Sequence, residues 1–382
     1  VQVDDSTEMG YARRSVYREL YRRRDLDMGS FLGDLVNDNM SLLPESVGVV
    51  DSLPYQCFMV PGNHDRDVYR GPKSSSYRPR DLSTWRKVVG YVDTSFVRGN
   101  VRFVLMNNVR HSDSGMTDYV GGFTDRQKHW LDSVLNRCVG ETSGKMLSRA
   151  ERNPSLTILA THIPFSQMKG RDSVLAIVPD TSRLLLVSGH THFVSRDDSL
   201  RELIAGAACG SWWRGVKNSD GIPYALQSCG APRGYFVADI CRNGTYDLSY
   251  KCIGRPASDQ LSVWAVPSDS TGSSYRLYIN VFGGSSDGIV RISGLGRRTC
   301  ACERSLMAAP EVEQVIRLNA SRSRDYRKAH RDEFIPLRRK PSPHLWQTVD
   351  LIPGPLPAYV NVIYRDAHMR IRQRVQMSYV QE

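Results

Sequence analysis

No apolar run in this chain approaches the roughly 18 residues that a membrane-spanning helix needs. The longest are short pieces such as Leu184 to Val187, so an integral membrane protein of the helical kind is excluded. Paired Cys-x-x-Cys arrangements are missing as well. The eight cysteines are scattered, and the closest two, Cys300 and Cys302, have no second pair to complete a zinc site. Mostly buried free thiols are expected, with one or two bridges if the protein is exported. No Gly-x-Ser-x-Gly elbow occurs, which leaves a serine hydrolase without support. Repeats and low-complexity tracts are absent too, and 40% apolar with 24% charged residues excludes disorder, collagen and coiled coil. The chain opens on Val1-Gln2-Val3 without initiator Met, charged n-region or apolar h-region. Those three residues read as part of a buried strand, and a removed upstream segment is expected.

What is present is a basic chain. Lysine and arginine outnumber aspartate and glutamate 51 to 40, a net charge of +11. This suits a polyanionic or phosphorylated partner, but the clusters at 13–24, 66–80 and 322–340 carry no nucleic-acid-binding signature, and nucleic acid is not the expected partner. The loop 66–80 holds Arg66, Arg70, Lys73, Arg78 and Arg80 among Gly, Pro, Ser and Tyr. It reads as a solvated loop, or as a holder for a second anionic group on a substrate.

A length of 382 residues exceeds what one hydrophobic core usually serves, so two domains are expected. Over residues 1–255, short apolar runs alternate with amphipathic stretches. Strands are predicted at Met28 to Leu32, Gln56 to Val60, Val101 to Met106, Leu156 to Ala160 and Leu184 to Val187, and a helix at Asp125 to Leu135 behind a Thr124/Gln127 capping box. This is an α/β pattern. After Gly254-Arg255-Pro256 the character changes, and 256–382 reads as a second, all-β, sandwich-like domain. It has a helical period only at Ala309 to Leu318, and a hairpin is predicted from Tyr359 to Tyr364 and Met369 to Met377. His330, His344 and His368 are isolated there from one another and from any Cys pair, so no further metal site is expected in that domain, whose expected role is to cover the first, wall its cleft, or bind a carbohydrate or cell-surface partner.

Nearly every apolar run of the first domain ends in a cluster of Asp, Asn or His, and open α/β sheets bind ligands at such strand ends. Five clusters belong together: Asp5; Gly33-Asp34-Leu35-Val36-Asn37-Asp38; Gly62-Asn63-His64-Asp65; Thr161-His162-Ile163-Pro164; and Gly189-His190-Thr191-His192. Carboxylate, amide carbonyl and imidazole are ligands for Mn, Fe, Zn or Mg rather than for soft Cu(I). A lone histidine is more often structural than a ligand. Four of the nine here fall inside these blocks, and His111, after another strand, stands open between cleft and solvated loop.

The blocks resemble those of the calcineurin-like metallophosphoesterase superfamily, D-x-H, G-D-x-x-D/N, G-N-H-D/E, a lone His and G-H-x-H. Four of the five match. The resemblance implies a four-layer α-β-β-α sandwich holding two divalent metal ions. Asp34 would bridge them; Asn63, His162 and His190 would complete one site, and Asp5 and His192 would serve the other. It further implies His64 as general acid with Asp65 orienting its ring, and hydrolysis of a phosphodiester or phosphomonoester, nucleotide-like substrates included, by in-line attack of a metal-bridging hydroxide. At the first block Thr7 stands where the superfamily has His, so water, Asp4 or Glu8 would fill that position, or the first site is weak. A scaffold or binding protein that retains the fold is the alternative reading. The stretch from Ala207 to Trp213, with Asp220 to Pro223, Gly230 to Tyr235 and Tyr250-Lys251, resembles exported Bacteroidetes-type members that carry an extra C-terminal β domain. This implies export to the periplasm or cell surface, and a last hairpin of the catalytic sheets from Gly234 to Cys252. Trp212 and Trp213 would wall the cleft or pack between domains.

Overall fold

The computed structural model describes residues 1–69, 78–79, 81–111, 119–136, 153–296 and 299–380. Arg70, Lys73, Arg80 and Cys138 lie outside them. The chain divides into two compact units. The first comprises Val1–Thr191, Ser199–Ile204 and Ile240–Thr245, and the second His192–Asp198, Ala205–Asp239 and Tyr246–Glu382. The expected joint at Gly254-Arg255-Pro256 therefore falls inside the second unit.

In the first unit, helix α1 (Ser6–Ala12) precedes strands β1 (Met28–Phe31), β2 (Gln56–Met59), β3 (Thr94–Arg98) and β4 (Val101–Leu105). Helix α2 (Asp125–Asn136) and strands β5 (Leu156–Ala160), β6 (Leu184–Ser188) and β7 (Glu202–Ala205) follow. The main sheet runs β7-β6-β5-β4-β3 and is mixed: β4, β5, β6 and β7 are parallel, and β3 is antiparallel to β4. β1 and β2 form a separate parallel pair.

Alternation along the strands sorts the side chains into layers. Val104, Leu159 and Leu186 face Leu131 and Leu135 of α2. The opposite face presents Phe96, Phe103, Leu105 and Ala160 to Phe58 and Val60 of the smaller sheet, with the Phe58 and Phe96 rings stacked at 4.0 Å. On the far side of that sheet Phe31 stacks on Tyr17 of the N-terminal helical stretch at 6.3 Å. The order is helix, sheet, sheet, helix, as expected. The capping box forms: the Gln127 amide donates to Thr124 Oγ1 at 3.2 Å and the Thr124 amide to Gln127 Oε1 at 3.0 Å.

Val1-Gln2-Val3 is not a strand. Only Val3 makes a bridge, parallel to Val36, because Gln2 adopts a φ of 50° that breaks the extended run. The pair Gly234–Ile240 and Tyr246–Cys252 also departs from expectation. It forms a two-stranded sheet of its own, and its Tyr250 and Cys252 pack with Cys229, Ala231 and Phe282 of the second unit.

The second unit is built on β8 (Leu261–Pro267), β9 (Ser274–Val281), β10 (Ile289–Ser293), β11 (Cys300–Arg304), β12 (Leu345–Thr348), β13 (Ile352–Pro353), β14 (Tyr359–Arg365) and β15 (Arg370–Tyr379). Strand β8 pairs with both β15 and β9, so the sheet closes on itself and seven strands lose their free edges. Val263, Ala265, Ile279, Ile292, Val360 and Val362 fill its interior. The expected hairpin is present, Tyr364 opposite Ile371. Helix α3 (Pro310–Ser321) covers part of the outside, where Glu311 accepts from Ser262.

His344 is fully buried here, its Nδ1 2.6 Å from Asn280 Oδ1, and burial pulls its imidazole down to about 3. An unfolded histidine protonates near pH 6.5, so below that the unfolded chain gains a proton the native state refuses. Thermal melts should show stability present above pH 6.5 and lost toward pH 3, with a slope from this group approaching about 1.4 kcal/mol per pH unit. His344→Gln should remove that component of the slope, whatever its effect on the absolute melting temperature; an unchanged slope would contradict the assignment.

Candidate metal centre

β1 and β2 run parallel, as do β5 and β6, so the carboxyl ends within each pair emerge on one edge. The blocks follow those ends directly: Gly33-Asp34 after β1, Gly62-Asn63-His64 after β2, His162 after β5 and His190 after β6. The turn off β1 is sharp, with Gly33 at φ 90° and Asp34 itself at 52°. His190 also sits in left-handed space at 67°. Two non-glycine residues held in that sparsely populated region point to a conformation selected for where the side chains aim. Gly62 is a glycine of necessity, since a Cβ there would collide with the carboxylate and backbone of Asp34.

Four donor atoms converge. His162 Nε2 lies 3.0 Å from Asn63 Oδ1, 3.0 Å from His190 Nδ1 and 3.4 Å from Asp34 Oδ2. The ligand atoms of Asp34, His162 and His190 all fall within 4.8 Å of one another. Donors around a first-row ion at about 2.0–2.2 Å are themselves about 3.0–3.5 Å apart, so these separations fit one coordination sphere. The second partners agree. His162 Nδ1 donates to the Leu32 carbonyl at 2.7 Å, which turns the Nε2 lone pair inward. Asp34 Oδ1 accepts the His64 amide at 3.1 Å, leaving Oδ2 toward His162. Burial alone would push the Asp34 carboxyl up, but the facing His162 imidazole and the His64 amide hold it well below the ordinary carboxylate range. The group is an ionised carboxylate among imidazoles and an amide oxygen, a set suited to a borderline divalent cation.

His64 has a different environment. Its Nδ1 lies 3.0 Å from Asp38 Oδ1, and the ring is part-exposed. Burial would lower its pKa, yet the hydrogen bond to Asp38 and the charges of Asp34, Asp38 and Asp65 raise it to about 9. The expectation that Asp65 orients this ring is corrected: the partner is Asp38. Asp65 is fully buried and accepts from the Leu35, Val36 and Gly62 amides at 2.8, 3.0 and 2.9 Å, which ties the Asp34 loop to the Asn63 loop. Neighbours in a tight turn point apart, so adjacency to His64 was a poor guide. Asp38 stood in the second block, four residues beyond Asp34, and its position at the end of that block was the available signal.

Asp5 is exposed and does not join the group. Its Oδ1 accepts the Glu8 amide at 2.9 Å as the N-cap of α1, while Glu8 Oε2 accepts the Asp4 amide at 2.8 Å, so both carboxylates are engaged at the start of that helix. Thr7 lies in the first turn of that helix. His192 belongs to the second unit, where its Nδ1 donates to the Gly210 carbonyl at 2.6 Å and its ring lies 5.5 Å from Trp212. Trp213 is buried beneath Arg233. Tyr119, which the sequence did not flag, meets the His190 ring edge-on at 5.7 Å and the His111 ring at 5.5 Å. Arg66 is structural, buried with its guanidinium on Asn107 and the Val109 carbonyl.

Residues 13–194 match the family model for Calcineurin-like phosphoesterase, and residues 202–354 match that for the C terminal of Calcineurin-like phosphoesterase. The chain belongs to the calcineurin-like phosphoesterases and carries their additional C-terminal domain. With the His/Asp cluster, that makes it a metal-dependent phosphoesterase by class. Among curated proteins no sequence matches it.

Proposed function

We propose that the protein hydrolyses a phosphodiester or phosphomonoester at the Asp34 centre, with His64 protonating the leaving oxygen. The observation that carries this reading is the convergence of Asp34, Asn63, His162 and His190 on one point beside a histidine bonded to its own carboxylate. Divalent ions, when bound, supply Lewis acidity toward the phosphoryl oxygens and activate water for attack. Asp34, Asn63, His162 and His190 would hold one ion. His64, donating from the ring nitrogen remote from Asp38, delivers its proton to the departing alkoxide, and Asp38 fixes the ring and favours the imidazolium before transfer. Asp65 keeps the two ligand loops in register. No protein nucleophile is required.

The engagement of Asp5 and Glu8 in the α1 cap supports a weaker first site. Elemental analysis of the purified protein, with turnover of bis-p-nitrophenyl and p-nitrophenyl phosphate, tests the proposal. Two ions per chain, with turnover removed by a chelator and restored by added Mn, Fe, Zn or Mg, is the expected result. One ion without turnover across several metals would instead establish a metal-binding scaffold.

A further inference from the structure

The outward face of β10, β14 and β15 is a charged surface that the phosphoesterase reading leaves unused. Residues directly opposite in a sheet share a face. The register sets Arg365 opposite Arg370, Ile363 opposite both Arg372 and Arg291, and Asn361 opposite Arg374. Five arginines therefore occupy the exposed face of three adjacent strands, on which no Asp or Glu lies. Among the described residues none of the five forms an ion pair; Arg374 lies over the Tyr359 ring at 4.8 Å. On the next strand, Glu303 already accepts from Gln347. Like charges set opposite one another, as Arg365 and Arg370 are, weaken a sheet unless an external counter-charge offsets them.

The same face exposes apolar bulk. Ile289 is 63% exposed and Ile363 44%, interleaved with the arginines. A soluble linear polyanion would meet the guanidinium groups but gain nothing from two exposed isoleucines. A bilayer surface takes both, phosphate groups on the guanidinium forks and apolar tips at the boundary between headgroups and acyl chains. We propose that this face docks the protein onto an anionic phospholipid bilayer.

The test is sedimentation of the full chain with vesicles of phosphatidylcholine, alone or mixed with phosphatidylglycerol. Binding should appear only with phosphatidylglycerol and weaken as salt is raised. The triple variant Arg370→Gln, Arg372→Gln, Arg374→Gln should lower partitioning on the order of a hundredfold, about fivefold per arginine. Ile289→Ser with Ile363→Ser should lower it by roughly tenfold or more. All positions are exposed, so melting curves should match or, with the Arg365–Arg370 repulsion relieved, slightly exceed the parent's; Arg372→Glu alone gives the same reading should the triple variant fold poorly. Absence of binding to phosphatidylglycerol vesicles overturns the proposal, as does binding that survives the arginine changes. Binding lost with the arginines but indifferent to the isoleucines, or retention of heparin or single-stranded DNA without vesicle binding, overturns it in favour of another polyanion.

Discussion

Asp34→Ala should leave the protein with less than its full metal content and lower kcat/KM by on the order of a thousandfold or more, measured by elemental analysis and turnover of bis-p-nitrophenyl phosphate. The size follows from position. Asp34 is the buried carboxylate among the converging donors, and its removal leaves His162 and His190 facing each other without the negative charge that makes a cation favourable there. The loss also has a structural arm, because the His64 amide gives up its acceptor and the loop that carries Asn63 loosens. Asp34→Asn separates the two. It keeps the side-chain shape, so a variant that melts like the parent yet loses metal and turnover isolates the charge. Full metal occupancy and parental turnover in Asp34→Ala would remove the basis for placing the reaction at this centre.

His64→Gln should fall most steeply on substrates with poor leaving groups. General acid catalysis contributes typically ~10²–10⁴-fold, and an alkyl phosphoester needs that proton whereas p-nitrophenolate departs with little help. The expected result is a loss of at least ~10²-fold for an alkyl ester, a much smaller loss for the nitrophenyl ester, and unchanged metal content. Asp38→Asn should follow the same leaving-group pattern at smaller amplitude, since Asp38 acts through the ring it holds. Equal losses on both esters would assign His64 to substrate positioning instead.

Four of the six expected ligands, Asp34, Asn63, His162 and His190, were legible because their blocks follow apolar runs, and a strand that ends in Gly-Asp or Gly-Asn-His delivers those side chains to one sheet edge. The capping box at Thr124 and the hairpin beginning at Tyr359 were legible for the same local reason: each is specified within a few residues. Side-chain partnerships were not. Asp65 follows His64 in sequence, yet its carboxylate turns inward to three amides, while Asp38, 26 residues earlier, reaches the ring. The opening residues looked like a strand on composition, but extended backbone needs a partner over more than one residue, and the φ of Gln2 leaves only Val3 in register.

The arginine face shows the same division. Alternation from 359 to 377 announces a half-buried hairpin with charged outward positions, but Arg291 lies some seventy residues away in sequence and joins them only because β10 pairs with β14. The sequence alone pointed to the family, to an added C-terminal β domain and to Asp34, Asn63, His162 and His190 as neighbouring donors, because each rests on spacing along one stretch of chain. Only the tertiary structure decided which of those residues meet, which carboxylate serves His64 and which charges share a surface, because contacts between distant segments are set by strand pairing and packing, and no local pattern encodes them.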